Sequence, residues 1–328
     1  MNLSKKLARP LSLAAAATLA TGLSGALPAH ATPLRASAAV SNGVLEITGG
    51  NGPDTVTVDF GNPDSVGVEI DGTRESFGRR TFATISASLG SGDDRFRVTT
   101  GGSALTDLPI TVHGGDGDDD LHGGAGADLL FGDRGDDTVD GGVGTDTELL
   151  GSGDDVAAWL PGEGSDAVFG QSGDDTLLFV GSNGDEVMSL SPNGDRAVFL
   201  RSPGSVRMDL DGVERVRVNA LDGADAITVG DLSGTDVRQA DLDLSARGAS
   251  DGKTDTVVVN GTAQADDVSV DAHDGTVDVS GLRPETTLTG SDAFDRLELR
   301  TLGGHDEAHV SDAATALIGV LVDLGAGQ

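Results

Sequence analysis

The chain has 328 residues, 54 acidic against 21 basic side chains, a net charge of −33 and no Cys. That charge excludes the basic footprint of a nucleic-acid binder, and the missing Cys excludes a disulfide scaffold. The Gly/Asp/Val-rich composition is unlike a coiled coil, and at ~150 residues per domain the length suggests about two domains. Of the acidic residues 44 are Asp and 10 are Glu. Glu favours helices, whereas Asp bonds nearby backbone in turns and caps, so the charge belongs to turns. Gathering so many carboxylates costs self-repulsion, which a divalent cation would offset.

Residues 1–31 differ from the rest. Lys5, Lys6 and Arg9 precede an Ala/Leu-rich apolar stretch from Leu11 to Leu27, and Ala29-His30-Ala31 has small residues flanking one position. The pattern predicts a secretory signal cleaved near Ala31, with no transmembrane segment in the remainder. It places the protein outside the cell. Beyond it the only Lys is Lys253.

Next comes an N-terminal β-rich region, 32–112. It holds one isolated nonapeptide, Gly49 to Thr57, and a half copy at Gly90 to Phe96. Four nonapeptides then run without a gap from Gly114 to Leu149, each approximating G-G-x-G-x-D-x-U-x with U a large apolar residue. The first two fit every defined position. The third has Asp133 for the second Gly, and the fourth has Glu148 in the apolar slot. The pattern loosens through Gly151 to Asp155, Pro161 to Phe169 and Gly170 to Leu178, with two-residue insertions near Trp159-Leu160 and Phe179-Val180.

The Gly positions permit backbone that a Cβ would forbid, so each six-residue turn can curl tightly. The x-U-x triplet is a short strand with its central side chain inward. Two nonapeptides make one coil of 18 residues, which stacks Asp119 on Asp137 and Asp128 on Asp146 at the ~4.8 Å strand spacing.

These repeats resemble the haemolysin-type, or RTX, calcium-binding family, whose nonapeptide builds a parallel β-roll. The resemblance implies that Ca²⁺ is held between stacked turns by the sixth-position carboxylates and by turn carbonyls. The carboxylates are Asp119, Asp128, Asp137 and Asp146, and past the slip in register Asp155, Asp166 and Asp175. The turns are those of Gly115, Gly117, Gly124, Gly126, Gly135, Gly142 and Gly144. Asp116, Asp118, Asp120 and Asp136 lie off the ligand position and read as solvated turn residues.

The C-terminal region, 179–328, shows alternating Val/Thr strands bounded by Gly, Asp and Asn. Examples are Val213 to Val218, Thr256 to Val259 and Val268 to Val270, with a hairpin turn at Asp271 to Thr276. Asp225, Asp255, Asp266, Asp295 and Asp306 share a D-x-apolar core and outline an approximate 40-residue repeat. Asp54, Asp225 and Asp266 have no in-phase partner in the sequence and read first as turn residues. Trp159, beside an insertion, reads as a packing plug.

Catalytic motifs fail on spacing or context. His305-Asp306-Glu307-Ala308-His309 has the wrong Glu position for a zinc protease and lies on no helix. Gly248-Ala249-Ser250-Asp251-Gly252 has the letters of a nucleophile elbow but no helix after it. The prediction is an all-β protein with a calcium-binding β-roll at 113–178 between β-rich flanks. Its function is read as secreted, non-enzymatic calcium binding that folds or rigidifies the chain in extracellular calcium. One alternative is a calcium-dependent adhesin on a cell surface or acidic extracellular polysaccharide. Another is a β-solenoid enzyme acting on polysaccharide.

Overall fold

The computed structural model describes residues 36–99 and 108–325. The signal segment expected at 1–31 lies outside the described residues. Those described form two fourteen-stranded sheets, and the chain crosses between them at successive turns. Ile110–Asp116, Leu129–Arg134 and Thr147–Ser152 lie in parallel in the first sheet. Asp120–His122, Thr138–Asp140 and Val156–Trp159 lie in parallel in the second. The fold is the all-β parallel roll that the repeats predict.

The roll does not stop at the repeats. Ser88 pairs with His113 in the first sheet across residue 112. Thr176–Val180 pairs in parallel with Arg215–Asn219 in the second, across residue 178. Strands from Ser37–Ser41 to Gly319–Asp323 share the same two sheets. Where the sequence confines the solenoid to 113–178, the structure runs it through both flanks. Longer coils fit because their extra residues fold back as antiparallel hairpins within the sheets. Val187–Asn193, Arg196–Ser202 and Val206–Asp211 make one such meander in the first sheet. Asp267–His273, Thr276–Ser280 and Glu285–Thr289 make another in the second. The predicted turn at Asp271 to Thr276 is the first bend of that second meander, with Asp274 and Gly275 at φ +49° and +83°, as a two-residue primed turn requires.

The core is a set of columns, one inward residue per coil. In the second sheet Phe96, Leu121, Val139, Ala157 and Leu177 stack in register, all 1% exposed or less. In the first, Val112, Leu130, Glu148 and Val168 occupy one column. Trp159 is buried, stacks on Phe179 with ring centres 4.2 Å apart, and donates its Nε1–H to the Gly164 carbonyl. It is a packing residue. No helix among the described residues is long and apolar enough to cross a membrane.

Coils are packed too closely at their turns for side chains at certain positions. Gly135 has φ +123°, and a Cβ there would lie 2.0 Å from the Gly117 carbonyl oxygen of the coil before it. At the second position of the nonapeptide Gly115 is equally tight, its Cβ falling 2.0 Å from the Gly90 carbonyl oxygen, but the third copy does without Gly. Asp133 takes the place of Gly there at φ +75°, inside the left-handed region that Asp tolerates better than most residues.

Candidate metal centre

The turns leading into the second sheet carry a column of buried carboxylates. The backbone N–H of Asp119 donates to Oδ1 of Asp137 at 2.8 Å, that of Asp137 to Asp155 at 2.7 Å, and that of Asp155 to Asp175 at 3.0 Å. The column continues outside the repeats. Asp54 donates to Asp94, Asp94 to Asp119, and Asp175 to Glu214. The turns into the first sheet carry a shorter column, in which Asp128 donates to Asp146 and Asp146 to Asp166, each at 2.8 Å. Farther along the first sheet, Glu186 donates to Asp225, Asp225 to Asp255, and Asp255 to Asp295.

Apart from Asp54 and Glu186, whose carboxyls bond their own turns, each of these carboxyls uses one oxygen to splint a neighbouring coil. The other oxygen decides the chemistry. Oδ2 of Asp94, Asp119, Asp137, Asp146, Asp155, Asp175 and Asp225 is buried without a hydrogen-bond partner. A carboxylate oxygen removed from water in this way is costly unless a proton or a cation serves it. Burial accordingly pushes the carboxyls of Asp119, Asp175, Asp225 and Asp255 up to about 7, and those of Asp94, Asp137 and Asp155 up to about 6. Asp146 rises to about 8, for burial first and then for the charges of Asp166 and Asp128. The bond from each neighbouring backbone N–H pulls the other way without prevailing.

These groups suit a hard, oxygen-seeking ion. Ca²⁺ takes 6–8 oxygen ligands from carboxylates and backbone carbonyls alike. Among the described residues no three His, Asp or Glu side chains gather into a ready-made cage, so backbone oxygens must complete each shell. Turn carbonyls stand close by. A Cβ at Gly117, Gly153 or Gly144 would collide with the carbonyl of Gly92, Gly135 or Gly126 respectively. The glycines named from the sequence, Gly124 excepted, are where stacked carbonyls approach the chain. Among the described residues no Lys or Arg pairs with a repeat-column carboxylate, whereas the Glu residues at the flanking ends do pair with Arg. Arg201 binds Glu186 through Nε at 2.6 Å, and Arg238 stands 3.6 Å from Glu214.

The structure revises three sequence readings. Asp54, Asp225 and Asp266, which lack in-phase partners in the sequence, all have stacked ones, Asp266 donating to Asp306 at 3.0 Å. Their coils span 30 or 40 residues, so no nine-residue period reveals them. Asp118 and Asp136 are exposed, as expected, but ordered. With Asp93, Asp154 and Asp174 they form an outer row in which each backbone N–H donates to the carboxylate of the coil before it. The legible signal was Gly-Asp-Asp, which occurs at 92–94, 117–119, 135–137, 153–155 and 173–175. Asp120 and Asp116 are held by arginines, Asp120 by Arg95 and Arg97 and Asp116 by Arg134.

Residues 113–148 and 162–178 match the family model of the RTX calcium-binding nonapeptide repeat, in four copies. No curated protein and no solved structure matches the chain. Residues 113–178 are RTX calcium-binding nonapeptide repeats, and Ca²⁺ is the ion that they bind.

Proposed function

We propose that this is an exported, non-catalytic calcium-binding solenoid whose sixth-position carboxylates take up Ca²⁺ between stacked turns and so fold or rigidify the chain. The observation that carries the reading is the file of buried Oδ2 atoms without hydrogen-bond partners. Ion binding that relieves this burial adds directly to folding free energy. Extracellular calcium of order 10⁻³ M is enough for sites of ~10⁻⁴–10⁻³ M. Export is supported by the charge and apolar pattern of residues 1–31. The test is far-UV circular dichroism of the purified chain during a Ca²⁺ titration from chelator. The expected result is a gain of β signal at about millimolar Ca²⁺ that Mg²⁺ does not reproduce. A full β spectrum in chelator, unmoved by Ca²⁺, would sink the folding role.

One observation favours glycan retention as a second reading. On the outer face of the first sheet His113, Phe131, Leu149 and Phe169 stand in one row, half-buried, with the His113 and Phe131 rings stacked at 4.1 Å. Beside the row runs a polar groove lined by Asp116, Asp133, Arg134 and Gln171. Aromatic faces next to fixed polar groups suit a sugar chain. Calcium-dependent retention on an acidic-polysaccharide column, lost in Phe131→Ala, is the expected result. Elution in the void volume with and without calcium counts against it.

A further inference from the structure

Glu148 occupies the slot that the repeat reserves for a large apolar residue. It stacks between Leu130 and Val168 in the first sheet and is 1% exposed. Its Oε1 accepts the Gly141 N–H at 2.9 Å, and its Oε2 is buried with no hydrogen-bond partner. A carboxyl in an apolar column with half of its valence unserved is either a costly accident or a ligand.

The turn before it is rebuilt around this residue. In the second nonapeptide, Asp128 Oδ2 accepts the Gly124 N–H of its own turn at 2.7 Å. In the fourth, the equivalent Gly142 N–H bonds Asp140 instead, at 2.9 Å, and Gly142 takes φ +82°. Asp146 Oδ2 is released by this change and left without a partner. It faces Glu148. A Cβ on Gly141 would sit 2.8 Å from Asp146 Oδ2 and 2.9 Å from Glu148 Oε1, so the two carboxylates converge on the space that the glycine leaves open. The Asp166 carboxylate adjoins them from the next coil, 2.8 Å from the Asp146 N–H.

We propose that Glu148 is a calcium ligand, which with Asp146 makes the turn at 141–146 a two-carboxylate cation site unlike the other nonapeptide turns. Two carboxylates in one shell raise its charge, and ligand charge count is what tightens calcium sites. The inference rests on calcium occupying the adjacent repeat turns.

The test compares Glu148→Leu and Glu148→Gln with the parent, each as the full chain stripped by chelator. Calorimetric titration with Ca²⁺ is read together with the melting temperature in chelator. Both variants are expected to lose one calcium from the stoichiometry, or to weaken one site at least about tenfold. Glu148→Leu is also expected to melt higher than the parent in chelator, because a leucine completes the column between Leu130 and Val168. A gain in calcium-free stability joined to a loss of calcium is a pairing that a merely structural Glu148 would not produce. Isotherms matching the parent in both variants would overturn the role of Glu148 alone. A parent that takes up no calcium would overturn the repeat reading beneath it. Glu148→Gln keeps the size and the Gly141 hydrogen bond, so it remains informative if Glu148→Leu does not fold.

Discussion

The sixth-position aspartates of the second sheet use one oxygen as a splint and keep the other free. In Asp137, Oδ1 holds the Asp119 N–H at 2.8 Å, and Oδ2 faces inward without a partner. Asp137→Ala therefore strands a buried N–H and, on the proposed calcium role, also removes a ligand. It should cost about 1–3 kcal/mol in chelator and more in calcium, as measured by urea denaturation in both conditions. Asp118→Ala also removes an acceptor, from the Asp136 N–H at 2.9 Å. That amide lies at an exposed turn where water replaces the carboxylate, so the expected loss is under about 0.5 kcal/mol. Equal losses in the two variants would mean that the inner and outer rows are not distinct. Gly135→Ala should be worse than either, beyond about 2 kcal/mol, since its Cβ would meet the Gly117 carbonyl oxygen at 2.0 Å and backbone cannot swing aside.

At the level of strands and turns, the repeat was legible because chemistry and period coincided. Nine residues between sixth-position aspartates give one strand and one turn, and Asp128 does stack on Asp146. The flanks obey the same stacking rule with coils of 30 to 40 residues. Their period is hidden because a hairpin inserted into one sheet lengthens the coil without disturbing the ladder on either side. The 40-residue repeat seen in the sequence is real in this sense, since Asp255 stacks on Asp295 and Asp266 on Asp306. Its 11-residue spacings separate one column from the other and pair nothing. Long-range register was the illegible part, because the alternation of Val and Thr that marks a strand is identical in every coil. Glu186 marks where a column changes chemistry. It meets the guanidinium of Arg201, both side chains being 10% exposed or less. Arg201→Ala would leave that carboxylate buried and uncompensated, at an expected cost of 3–5 kcal/mol, or roughly that scale, in denaturant melts. Rescue by Arg201→Lys should be partial, because Arg201 also lies over the Trp159 ring and a planar fork is not replaced by an ammonium.

For the whole chain, the raised carboxyls set how stability depends on pH. In the folded, calcium-free protein, Asp119, Asp146, Asp175 and Asp225 hold their protons up to about 7 or 8, whereas in the unfolded chain they release them near 3.9, the ordinary value for Asp, or about that. The stabilisation from these protons is complete below the unfolded value and is lost as pH rises through the folded values. Melting temperature in chelator should therefore fall between about pH 5 and 8. Calcium affinity should rise over the same interval, with protons released on binding. Differential scanning calorimetry across that range, with and without calcium, reads both trends. A melting temperature in chelator that is flat or rising over the interval would contradict the arrangement. The net charge of −33 is then partly a property of pH and ion supply, since each buried column can be neutralised by protons or by metal.

The buried splints between coils all point one way, and the exposed outer row from Asp93 to Asp174 points the other. In every buried column the amide belongs to the earlier coil and the carboxylate to the later one, from Asp54 to Asp94 at one end and from Asp255 to Asp295 near the other. The ladder is consequently a vector. Removing coils from the N-terminal side leaves a carboxylate exposed, which water or an ion can satisfy. Removing them from the C-terminal side leaves an N–H that nothing in the remaining chain replaces. Each buried amide is finished by the coil that follows and each outer amide by the coil that precedes, so an interior coil of the roll is complete only between two neighbours.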